Sequence, residues 1–161
     1  MPSLPSKQAL KDELVRLLSA ELDTLERAQQ AAREGATHEE AKPENDKDTR
    51  ALEQSYLARG QALRVDELRN GLADVQHMPV RAFGEGQPAA LGALVTADEG
   101  DSTLLLLLAP HGGGMRLGGG AVQVVTPKSP LGRALLGKRA GDDCEVVLAG
   151  KTRALSIAEV A

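Results

Sequence analysis

The sequence predicts an α+β protein: two long helices folded back on each other as an antiparallel hairpin, then a small domain of mixed strands around one short helix. Leucines recur at three- and four-residue steps from Leu10 to Leu25 and again between Leu52 and Val75, the period of a helix with one apolar stripe. Between these stretches, from Thr37 to Asp48, there is no large apolar residue, and Glu, Asp, Asn and Pro dominate. After His77-Met78-Pro79 glycine and proline become frequent, and β-type runs alternate with turn signals.

The first helix starts after Pro5-Ser6, because a serine hydroxyl can accept from the free amides of a first turn. Its stripe is Leu10, Leu14, Leu17, Leu18, Leu22, Leu25 and Ala28, and the other positions are largely charged. So narrow a stripe suits a two-stranded coiled coil. The pattern stops around Gly35. It resumes at Leu52 and Tyr56, stutters at Gly60, and continues through Leu63, Val65, Leu68, Leu72 and Val75, read here as one stripe on a second helix. Some 28 helical residues reach roughly 40 Å. A two-helix hairpin of that length buries little per residue, which points to a projecting probe. The expected division is a coiled-coil hairpin over residues 1–77, with an acidic tip near 38–48, and a C-terminal domain over 78–161.

In the second part strands are expected at Ala90–Thr96, Thr103–Ala109, Ala121–Val125, Cys144–Leu148 and Thr152–Val160. Asp98-Glu99-Gly100-Asp101 and Ala149-Gly150 are read as hairpin turns. Ser129-Pro130 supplies an N-cap and a first helical residue for a short helix that ends at Gly137. Gly112–Gly114 and Gly118–Gly120 flank Met115-Arg116-Leu117 without the Gly-Lys-Ser/Thr ending of a phosphate loop, and read as a flexible loop.

Composition removes several functions. A net charge of −4 argues against a protein that grips a phosphate backbone over its whole surface. With one Phe, one Tyr and no Trp, stacking on nucleic-acid bases is also excluded as a main mode. The single cysteine, Cys144, cannot form an internal disulfide and reads as a small core residue in a reducing compartment. The N-terminus lacks a signal peptide's apolar run, and Leu104–Leu108 is too short to span a bilayer, so no membrane and a cytoplasmic location are expected. His38, His77 and His111 lack metal-ligand spacing, and no Ser–His–Asp or Cys–His set is suggested. Arg50, Arg59, Arg64 and Arg69 read as a solvated helix face, with contact to nascent RNA or acidic walls as the functional alternative.

The run Val124-Val125-Thr126-Pro127-Lys128-Ser129-Pro130-Leu131-Gly132-Arg133-Ala134-Leu135-Leu136-Gly137-Lys138, followed by Ala140-Gly141-Asp142 and a closing strand pair, resembles the C-terminal domain of the Gre transcript-cleavage factors. The resemblance implies an FKBP-like C-terminal fold that docks on bacterial RNA polymerase, and it makes Ser129, Pro130, Arg133 and Lys138 docking candidates. It also implies a hairpin inserted into the polymerase secondary channel, with nascent RNA nearby.

By the same resemblance the tip carries acids that help hold a second magnesium. The candidates are Glu39, Glu40, Glu44, Asp46 and Asp48, with Glu44 and Asp46 as ligands of a magnesium shared with the polymerase active site; no cofactor is expected in the free chain. Glu44-Asn45 matches the family's glutamate-asparagine, but Ala41 stands where the family has its aspartate. Residue by residue, the bland reading of such a turn is a solvated helix connection.

The expected function is therefore a monomeric transcription elongation factor that has no catalysis of its own and stimulates cleavage of backtracked RNA. The alternative is a non-cleaving channel modulator or inhibitor. A remote third reading, prolyl isomerase, is weakened by Phe83 being the only aromatic after the boundary.

Overall fold

The computed structural model describes residues 5–40 and 48–161, without the side chains of 36–40, 48–51 and 54. The first helix, α1, covers Lys7–Glu40. Its start is the expected one: Ser6 Oγ accepts from the Ala9 amide at 3.1 Å. Its end is not, because the helix runs through Gly35, the expected stop, to Glu40. An interior glycine costs only about 1 kcal/mol relative to alanine, and the next proline is Pro43. The second helix, α2, covers Asp48–His77 and passes through Gly60 in the same way. Arg69 of α2 reaches Glu26 of α1 at 2.8 Å, which fixes the antiparallel register.

Six strands follow: β1 (Leu94–Glu99), β2 (Ser102–Leu108), β3 (Arg116–Leu117), β4 (Val122–Val125), β5 (Asp143–Leu148) and β6 (Lys151–Val160). They form one sheet in the order β3-β4-β2-β1-β6-β5. β2 runs parallel to β4, and the other pairs are antiparallel. The short helix α3 (Pro130–Leu135) lies between β4 and β5 in the chain.

The unbroken leucine run now has a reason. β2 lies inside the sheet with both faces covered, so its side chains need not alternate apolar with polar. Leu106 and Leu108 enter a core with Val95, Ala97, Leu131, Leu135 and Ile157, on the face that carries α3. Leu107 points the other way, into a second core with Leu94, Leu117, Val122 and Val124, closed by Leu10, Leu14, Leu18, Leu68 and Val75 of the helices. The sheet is thus sandwiched between α3 and the root of the helical hairpin.

Three expectations are corrected here. The glycine-rich stretch is an ordered part of the core rather than a flexible loop: Arg116–Leu117 pairs with Val122–Gln123, and Leu117 is fully buried. The α2 stripe is also not one stripe, since Leu52, Tyr56 and Leu63 are 55%, 65% and 62% exposed. Leu63 to Val65 is a two-residue step, and on a helix that step carries the pattern to the far side. Among the strands, β1 begins at Leu94 and not at Ala90, because a turn occupies Leu91-Gly92, with Gly92 at φ 93°.

Candidate functional site

The molecule offers two places where function can reside: the free end of the hairpin and a cleft beside its root. At the free end, Glu39 and Glu40 occupy the last turn of α1, and Asp48 is the first residue of α2, so the backbone brings these candidates to one end. Glu44, Asn45 and Asp46 lie outside the described residues, as do the side chains of His38, Glu39, Glu40, Asp48 and Arg50. Carboxylates stabilise helix N-termini and oppose the partial negative charge of C-termini. Asp48 therefore has a sufficient structural reason to be where it is. Among the described residues, no group of three or more His, Cys, Asp or Glu is placed to hold a metal.

Support for the hairpin comes from its root. Lys7 Nζ donates to the carbonyls of Arg81, Gly92 and Ala161, the last two at 3.1 Å. It also lies 4.8 Å from the centroid of the Phe83 ring, as does the Arg81 guanidinium. Burial, and then the charge of Arg81, push the Lys7 ammonium below its ordinary pKa. One turn on, Lys11 donates to the Met78 carbonyl at 2.7 Å, just past the end of α2. Glu13 accepts from the Gly118 amide at 2.9 Å and so ties α1 to the glycine-rich stretch. With two cations against Phe83, that ring is not free to line a proline-binding pocket.

The cleft, of about 700 Å³, opens between α1 and the C-terminal domain. Leu18, Leu131 and Leu148 give it apolar walls, while Glu21, His111, Lys128 and Arg153 bring charge or a titratable ring to its lining. Ser129 and Pro130 line it as well. The Ser129 hydroxyl serves the chain itself, donating to the Thr126 carbonyl at 2.9 Å and accepting from the Gly132 amide at 3.0 Å. That cap presses α3 onto the Thr126 backbone. A Cβ at Gly132 would sit 1.8 Å from the Thr126 carbonyl oxygen, which is why glycine stands there. Pro130 is left exposed at the start of α3.

The other two docking candidates do not line the cleft. Arg133 is exposed on α3, its guanidinium donating to the Lys128 carbonyl at 3.2 Å. Lys138 is half-buried and acts electrostatically on Cys144, whose thiol is nonetheless pushed up by burial.

Sequence reading missed Glu21, His111 and Arg153 as cleft residues. His111 packs against α2 where Gly71 has no side chain, and a Cβ there would lie 2.4 Å from the imidazole ring. Arg153 donates to Glu99 through Nε and Nη2, the latter at 2.9 Å. These hydrogen bonds hold the Glu99 carboxyl below its usual range and the guanidinium above its own. Arg69 is likewise raised by its hydrogen bond to Glu26, in keeping with the solvated-face reading of that arginine.

Residues 90–161 match the family described as transcription elongation factor, GreA/GreB, C-terminal. Among solved structures, the chain is similar to GreA factor homolog 1 (Gfh1) of Thermus thermophilus, at 20% identity over 95% of each chain and a TM-score of 0.40. It is also similar to Gfh1 of Thermus aquaticus, at 18% identity over 99% of each chain and a TM-score of 0.41. A GreA/GreB elongation factor from Nitrosomonas europaea is 21% identical over 69% of this chain and 93% of its own, with a TM-score of 0.34. No curated protein matches the chain.

Proposed function

We propose, on the match of residues 90–161 to the C-terminal domain of the GreA/GreB transcription elongation factors, that this chain docks on bacterial RNA polymerase and inserts its helical hairpin into the secondary channel. The observation that carries this is the asymmetry of the hairpin: its root is built into the core, while the end bearing Glu39 and Glu40 is placed away from it. A probe needs one firm end and one free end. The C-terminal domain supplies the anchor, with the cleft beside Ser129-Pro130 receiving a polymerase segment.

The acids at the free end act on the polymerase active centre, and the chain itself is not an enzyme. Glu44 and Asp46, with the polymerase, would hold a second magnesium, which takes one or two carboxylates and keeps several waters. When bound there, the metal supplies charge stabilisation for hydrolysis of backtracked RNA. This chain's contribution is to carry carboxylates the length of the hairpin and to keep the approach narrow. Such a factor works in the cytoplasm. Among the described residues no helix is long and apolar enough to cross a membrane.

A second reading is a channel modulator that does not promote cleavage, and Ala41 favours it, since the carboxylate expected three residues before Glu44 is missing. One experiment separates the two. Halted, backtracked elongation complexes are mixed with the full chain or with a variant lacking residues 38–48. Shortened RNA with the full chain and none with the deletion supports cleavage. Slowed extension without shortening supports modulation. If the full chain neither binds nor changes the RNA pattern, the polymerase reading is lost.

A further inference from the structure

Along α2 the apolar residues change sides. At about 100° per residue, Val65, Leu68, Leu72 and Val75 share the inward face, where Val65 and Leu68 are only 3% and 4% exposed. Leu52, Tyr56 and Leu63 fall on the roughly opposite face, together with the exposed Arg59. Single exposed leucines need no explanation. A row at successive steps of four, three and four residues is different, because that is the spacing of a seam between two helices. Neither α1 nor the sheet covers this seam.

The order of residues in the row says what does. Read from either end, it runs leucine, one member of a cation–π pair, the other member, leucine. If a second copy of α2 lies antiparallel on the first, Leu52 of one copy meets Leu63 of the other, and Tyr56 meets Arg59. A twofold axis then repeats each contact, giving two leucine pairs and two guanidinium-on-ring contacts, the second of which is attractive when partly desolvated. Flanking positions allow the helices to come close: Ser55, Gly60 and Ala62 are small, and a Cβ at Gly60 would meet nothing within 4 Å.

We propose that the outer face of the distal half of α2 is a self-association surface, on which two copies of this chain pair antiparallel through Leu52, Tyr56, Arg59 and Leu63. The contact is isologous and closes on itself, so it makes dimers and no larger species. Four side chains from each copy bury less than about 1,200 Å² in total, the range of weak and transient contacts. The expected dissociation constant is on the order of 100 μM, which leaves a single chain at high dilution. The pairing is a property of the chain alone and stands independently of the polymerase reading.

Sedimentation equilibrium of the full chain, from about 10 μM to about 1 mM, tests it. The weight-average mass should rise from one chain toward two. Tyr56→Glu and Leu63→Glu should each weaken the association about tenfold or more, whereas Leu57→Glu should leave it unchanged. Leu57 is 68% exposed but lies off the row, so it controls for general stickiness. Register is read by oxidation: a mixture of Leu52→Cys and Leu63→Cys chains should cross-link far faster than Leu52→Cys alone, with Cys144 buried and out of reach.

A mass of one chain throughout overturns the proposal. So does an association weakened as much by Leu57→Glu as by Tyr56→Glu, or one in which position 52 links to itself as readily as to 63. If the chain stays single while Tyr56→Glu loses binding to RNA polymerase, the row belongs to the polymerase contact instead and the proposal fails.

Discussion

The two halves of the hairpin have similar helical geometry and very different support. At the root, Leu10, Leu14, Leu18 and Val75 are fully buried and Leu68 is nearly so, all in one core with the sheet, and Val65 is buried beside them on α2. In the distal half of α2, Leu52, Tyr56, Leu57 and Leu63 are more than half exposed. The difference teaches that the hairpin is held from one end. Short helices without tertiary packing are marginal in water, so the distal half depends on helix propensity, on its partner helix and on whatever it meets.

The largest expected effect is in hydrogen exchange. Amides near residues 10–20 and 65–75 should exchange only through global unfolding, and those near 28–35 and 55–62 orders of magnitude faster, through local opening. Equal protection in the two halves would break the comparison. Next is truncation: Leu14→Ala should destabilise by about 2–5 kcal/mol, and Leu57→Ala by no more than about 0.5 kcal/mol, measured by urea unfolding. A smaller effect is expected at the latch. Lys7→Met leaves the carbonyls of Arg81, Gly92 and Ala161 without their donor and should cost about 1–3 kcal/mol.

The smallest effect lies away from the hairpin, in the ion pair between Glu99 and Arg153. The folded-state pKa of Glu99 is lowered, first by its hydrogen bond to Arg153. Its stabilisation is therefore complete above the unfolded carboxylate pKa of about 4 and fades as pH falls through the lower folded value. Thermal melts of wild type and Glu99→Gln should differ slightly at pH 7 and converge in acid. A difference that grows on acidification would reverse the assigned sign.

Much of this fold is legible because its signals are local. Ser6 and Ser129 cap the helices expected of them, and Gly137 takes the left-handed backbone, φ 79°, that ends α3. The misses come from phase and from distance. Leu52, Tyr56 and Leu63 keep perfect step with one another, and only tracking the angle across the two-residue step to Val65 shows that they face away. β3 has two residues between glycine triplets, too few to show any period, and its existence rests on pairing with β4. The cleft joins Glu21, His111 and Arg153 from distant parts of the chain, and no spacing rule links them. The expected tip acids Glu44 and Asp46 lie outside the described residues, so their reading remains that of the sequence.

The seating of the hairpin root on β2, β3 and β4 has a consequence for how the chain is made. Leu10 and Leu14 share their core with Leu68 and Val75 of α2 and also with Leu117, Val122 and Val124, so α1 can cover part of its stripe on α2, but its sheet-facing side has no partner until about a hundred residues beyond Leu14 have been synthesised. Contacts so far apart in sequence are slow to form. During translation the sheet-facing side of the hairpin root therefore stays uncovered, and the yield of this protein should depend on chaperones that shield nascent apolar helices.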